Sequence, residues 1–104
     1  MPADSWAQAT DPAAIVEAVR DAATKRSGIP ASQLQVVSME RVTWSDGSLG
    51  CPRPGVLYTQ SLVPGWRVKL QVGGEVWDYH AGDRGQPVLC PPDRAKAPLP
   101  STRN

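Results

Sequence analysis

Cys51 and Cys90 are the only two cysteines in 104 residues, and each is followed by proline. Three readings of the pair stand open: a disulfide, two inert buried thiols, or a reactive or metal-bound cysteine. A bond would close a loop of about 40 residues and contribute on the order of 3 to 4 kcal/mol by restricting the unfolded chain. For a small core that is a large share, and it would imply an oxidising, extracytoplasmic compartment. A zinc site is disfavoured, because two Cys and one His fall short of four ligands and no C-x-x-C spacing exists. No metal and no cofactor are expected.

His80 is the single histidine, so any histidine-dependent general base must be this residue. It ends a candidate strand after Asp78 and Tyr79, while Asp46, Ser48 and Cys51 lie in a turn-rich segment that could fold toward it. A small hydrolase pairing His80 with Ser48 or Cys51 is therefore one reading. Against it, no nucleophile elbow is present, and Asp46-Gly47-Ser48 reads first as a turn.

Arg53 sits between Pro52 and Pro54. The prolines fix the backbone on either side, and a disulfide at Cys51 would anchor the segment, so the arginine would be displayed at low entropic cost. A protease-inhibitor-like module inserting Arg53 into an acidic pocket is a second reading; a proline-stiffened connection is the plainer one. Four tryptophans with no phenylalanine raise a third possibility, an aromatic platform for sugars or bases. Trp66 and Trp77 are more simply core, whereas Trp6 and Trp44 are ambiguous. No basic stripe interleaves the aromatics, so nucleic acid is not expected as a partner.

The elements that must position these groups are legible in outline. Asp11-Pro12 starts a helix, and Ile15, Ala18, Val19, Ala22 and Ala23 recur on one face until Gly28, which predicts a helix over 12–27. Leu34 to Trp44 reads as a strand whose mixed apolar parity points to a central position or a bulge. Residues 45–55 form a long loop of turn formers, and Val56–Val63 is a candidate strand ended by Pro64-Gly65. Trp66 to His80 is a hairpin turning at Gly73-Gly74, with Val72 opposite Glu75, Leu70 opposite Trp77, Val68 opposite Tyr79, Lys69 opposite Asp78 and Arg67 opposite His80. A short strand at 87–90 closes the set. The predicted fold is α+β, one N-terminal helix packed on an antiparallel sheet of four to five strands. Residues 1–10 are read as a flexible N-terminus, 11–90 as a single domain and 91–104 as a proline-rich flexible tail.

With 11 basic against 10 acidic residues the formal net charge is +1, which removes the electrostatic drive toward nucleic acid or anionic membranes. No apolar run is long enough to span a bilayer, and the first six residues lack the basic and apolar regions of a secretory signal.

Taken as a set, Trp44-Ser45-Asp46-Gly47-Ser48-Leu49-Gly50-Cys51-Pro52, Tyr58-Thr59-Gln60, Val63 to Val68, Asp78-Tyr79-His80 and Val88 to Pro92 resemble a family of small uncharacterised bacterial proteins, many secreted or lipoprotein-like. The resemblance spans roughly residues 12 to 92. It implies a periplasmic or cell-envelope location, an unassigned role, and a signal segment, with a possible lipid anchor, absent from this sequence. The order of helix then sheet is also similar to small PepSY-like or cystatin-like domains, an analogy of fold alone. The combined expectation is a small extracytoplasmic binding domain for a protein or peptide partner. Its surface would be bordered by Trp44, Asp46, Leu49, Arg53, Tyr58, Arg67 and His80 and centred on loop 45–55.

Overall fold

The computed structural model describes residues 11–84 and 86–100. The expectations for residues 1–10, for Trp6 and for the end of the tail lie outside them. Helix α1 spans Pro12–Ser27. Its start is fixed by Asp11, whose side chain accepts from the Ala13 amide at 3.0 Å, and by Pro12, which forfeits no needed donor. Gly28 stops it at φ 80°, the left-handed conformation glycine adopts without a Cβ clash.

A short 3-10 turn at Ala31–Gln33 leads into an antiparallel meander. Its strands are β1 (Gln35–Trp44), β2 (Val63–Val72), β3 (Glu75–Gly82) and β4 (Val88–Cys90), hydrogen-bonded in that order. The fold is thus α+β, one helix packed on a four-stranded antiparallel sheet. The bulge anticipated in the first strand falls between Val36 and Ser38. Every residue pair expected of the Gly73-Gly74 hairpin is present in the β2–β3 register.

The main core lies between α1 and one face of the sheet. Ile15, Val19 and Ala23 pack toward Trp66, Val68, Leu70 and Val72 of β2, with Leu34, Tyr79 and Ala81 completing the cluster. Each fully buried Val or Leu here stabilises the fold by about 1.5 to 3 kcal/mol. The Arg20 guanidinium donates to the Leu34 carbonyl at 3.0 Å, tying the helix to the entry of β1. Trp66 is buried as expected, beneath the Arg41 guanidinium at 5.1 Å from its ring. Trp77 is only partly buried against this core and donates from its indole to Glu75 at 3.0 Å.

Two expectations are corrected. Residues 56–62 form no strand; the second strand begins at Val63 and carries Pro64 and Gly65 inside it. β1 and β2 pair directly, so Val56–Leu62 does not stand between them, and the outer edge of β1 carries no strand among the described residues. Pro64 is tolerated because it lies beyond the β3 ladder, which ends at Gly65 and Gly82. The second correction concerns residues 91–100, which return to the body of the molecule instead of trailing from it. Lys96 donates its amide to the Gly50 carbonyl at 2.8 Å and Leu99 to the Thr43 carbonyl at 3.0 Å.

Candidate functional site

The sheet face turned away from α1 carries a second, smaller core. Trp44, at the end of β1, is fully buried; its indole N–H donates to the Ala81 carbonyl at 3.0 Å. Its ring stacks on His80, with centroids 4.5 Å apart and planes 17° from parallel. His80 is equally buried. Its Nδ1 donates to the Leu49 carbonyl oxygen at 2.6 Å, and its Nε2 lies 3.1 Å from Oδ2 of Asp78, an ion pair when the ring carries both protons.

Asp78 is the hub of this layer. Arg67 clamps it from the neighbouring strand with two bonds, Nε to Oδ1 at 3.1 Å and Nη2 to Oδ2 at 2.9 Å. Burial pushes the Asp78 carboxyl up, but the hydrogen bonds and charges of His80 and Arg67 outweigh it and hold the group well below the usual carboxylate range. Lys69, directly opposite Asp78 in register, is passed over for the diagonal partner whose planar fork fits a carboxylate with two bonds.

Above this floor runs the connection 45–62. Asp46 accepts from both the amide and the hydroxyl of Ser48, at 2.8 and 2.6 Å, closing a side-chain turn. Those two bonds hold the Asp46 carboxyl below its ordinary range. Leu49 is the one non-glycine with positive φ among the described residues, at 57°, and its carbonyl is the group that His80 holds. Gly50 follows at φ 69°, packed so closely that an added Cβ would stand 2.5 Å from the Trp44 ring and 2.8 Å from the Lys96 carbonyl oxygen. Cys51 and Cys90 are disulfide-bonded, joining this segment to β4. A backbone bond from Gly47 to Thr59 at 2.8 Å pinches the outer limbs together.

Beyond the pinch the loop makes a tip. Arg53-Pro54-Gly55-Val56 is a turn closed by the Val56 amide on the Arg53 carbonyl at 3.2 Å, with Gly55 at φ 78° as the third residue of a Pro-Gly turn requires. The Tyr58 hydroxyl accepts from the Arg53 amide at 3.1 Å. The outcome is an ordered projection whose apolar side chains find no core. Leu57 is 97% exposed and Val56 47%; Leu62, past the pinch, is 63% exposed.

The structure therefore divides the expected surface residues. Arg53 is exposed and Tyr58 half-buried beside it on the tip, whereas Asp46 and Leu49 are half-buried in the base of the loop. Trp44 and His80 do not border a surface; they are the buried floor, and Arg67 reaches inward to Asp78. Leu62 is exposed outside the pinch, next to β2; Val56 and Leu57 are the tip residues that sequence reasoning passed over. Their signal is an apolar pair set directly after a Pro-Gly turn, but the same letters also read as a strand.

Two chemical alternatives are not assembled. Neither ring nitrogen of His80 faces Ser48, whose hydroxyl donates to Asp46, and Cys51 is held in its disulfide, so no hydroxyl or thiol is paired with the histidine. Arg53 has both its amide and its carbonyl engaged within the loop, whereas strand-like insertion into a protease cleft needs extended backbone with those groups free. Among the described residues no group of three or more His, Cys, Asp or Glu side chains could hold a metal ion. No helix among them is long and apolar enough to cross a membrane.

No curated protein and no solved structure matches the chain. One family does, over residues 16–90, a span that runs from α1 through β4 and includes both cysteines and the whole 45–62 connection. By that match, which covers more than half of its length, the chain belongs to the family described as Domain of unknown function (DUF8738).

Proposed function

We propose that this chain is a small extracytoplasmic binding module that engages a protein partner through the tip of its 45–62 loop. The observation that carries the reading is Leu57, 97% exposed on a loop tied down at its base. Leaving a leucine in water forgoes roughly 2 kcal/mol of burial, so an ordered loop built to present one is suited to covering it with a partner. The Cys51–Cys90 disulfide, the Gly47–Thr59 pinch and the Tyr58–Arg53 bond keep the tip in one shape, which lowers the ordering cost of association. Exposed Arg53 beside the apolar pair supplies a charged anchor of the kind enriched at interaction hot spots. The disulfide is compatible with an oxidising compartment, and a place in the periplasm or envelope is part of this proposal.

A photo-crosslinking residue placed at position 57, and separately at exposed Glu17 on α1, tests the reading in cells that produce the protein naturally. The expected result is a discrete adduct from position 57 that is absent from position 17 and lost when Arg53→Glu is added. Equal labelling from both positions, or none from 57, contradicts it.

A further inference from the structure

The sheet ends unevenly on its β4 side. β4 pairs only with Asp78–His80 and stops at Cys90, since Pro91 and Pro92 have no N–H with which to extend a ladder. β3 continues past that point through Trp77, Val76 and Glu75. Val72 and Glu75 flank a two-residue turn as a hydrogen-bonded pair, so the antiparallel alternation turns the N–H and C=O of Val76 away from β2, toward the space that β4 leaves. Val76 is 53% exposed.

A groove of about 710 Å³ lies along this edge. Trp77, Leu89 and Pro92 supply apolar walls, and three arginines converge on it from separate parts of the chain: Arg26 from the last turn of α1, Arg53 from the loop tip, and Arg94 from the turn after β4. None of the three makes an ion pair among the described residues. Arg94 carries a buried Nε with no hydrogen-bond partner, while its Nη2 rests 3.6 Å from the Cys51 sulfur. The two carboxylates lining the groove are already engaged, Glu75 by the Trp77 indole and Asp78 by Arg67 and His80.

We infer that this groove binds an extended acidic segment of a partner protein, which adds a short strand to the free edge at Val76 and sets its carboxylates on Arg26, Arg53 and Arg94. Unpaired backbone groups supply register, the arginines supply charge complementarity, and Trp77 supplies a flat apolar wall for the alternate side chains. The site shares Arg53 with the loop tip, so its test varies Arg26 and Arg94, which the tip reading does not use.

The test uses the full oxidised chain, titrated with a blocked hexapeptide of alternating Glu and Val while backbone amide and indole NMR signals are followed. The parallel probes are the same peptide with Gln for Glu, and inorganic pyrophosphate. Saturable shifts centred on Val76 and Trp77 are expected for the Glu peptide, falling with added salt. The double variant Arg26→Gln/Arg94→Gln should bind roughly tenfold or more weakly, as loss of two charge-assisted contacts implies. Arg26→Gln alone, an exposed change, should weaken binding roughly threefold and keeps the test decisive if Arg94→Gln disturbs the fold. Arg84→Gln, a cation outside the groove, should bind as the parent does. Equal binding of the Glu and Gln peptides, absence of shifts at Val76 and Trp77, or pyrophosphate occupying the groove when the peptide does not, overturns the proposal.

Discussion

At the scale of single residues, Asp78 joins Arg67 and His80 in the second core. It is mostly buried, accepts two bonds from Arg67, and lies within 3.1 Å of His80. Removing one member of such a pair strands the charge of the others, so Asp78→Asn should destabilise the fold by about 2 to 4 kcal/mol, read from denaturant midpoints. The pH dependence follows from the direction of its shift. The folded carboxyl titrates below its unfolded value near 3.8, so its contribution is fully present above that pH and is lost as pH falls through the folded value. The parent should therefore lose stability on acidification below about pH 4 more steeply than Asp78→Asn does; parallel slopes would contradict the assignment. Gly50→Ala is a second residue-scale test. Its Cβ would meet the Trp44 ring and the Lys96 carbonyl at a backbone with positive φ, so a loss of about 2 kcal/mol or more is expected in the same assay. The sequence register correctly put Arg67 across from His80 and Lys69 across from Asp78. It could not show that the diagonal guanidinium would win, because that choice depends on side-chain reach and burial, not on parity.

At the scale of elements, α1, the bulged β1 and the whole β2–β3 hairpin were readable from local chemistry: a capped start, a glycine stop, alternation and a Gly-Gly turn. The connection 45–62 was only half readable. Val56–Val63 has strand-forming letters, yet strand formation needs a neighbour to accept its backbone bonds, and the segment is not laid along the free outer edge of β1, whose one partner is β2. The segment instead runs on as irregular chain from the Arg53–Val56 turn, to which the Tyr58 hydroxyl ties it. Tyr58→Phe removes the acceptor for the Arg53 amide in an exposed setting, so global stability should change by no more than about 0.5 kcal/mol. Hydrogen exchange at the Arg53 amide should nonetheless accelerate; unchanged exchange would show that the tip is ordered by something else. Leu57→Ser should likewise leave stability within about 0.5 kcal/mol, since the side chain is already in water, while removing the partner adduct.

At the scale of the whole molecule, the fold is two unequal cores on opposite faces of one sheet. The helix covers one, and the loop with residues 91–100 covers the other. Proline content made the segment after β4 look like a loose tail, because its order comes from distant acceptors, Gly50 and Thr43, that no local pattern reveals. The Cys51–Cys90 bond ties that second cover together and anchors the tip proposed to meet a partner. Reduction should lower stability by about 4 kcal/mol for a closed loop of this size. The most direct test follows alkylation by intact mass, with hydrogen exchange over 45–62 and 91–100 on the same protein made in an oxidising compartment. No alkyl group should add until reductant is present, and protection of the Gly47 and Lys96 amides should collapse on reduction. Alkylation of both cysteines in the native protein, or protection that survives reduction unchanged, would contradict a binding loop braced by this disulfide.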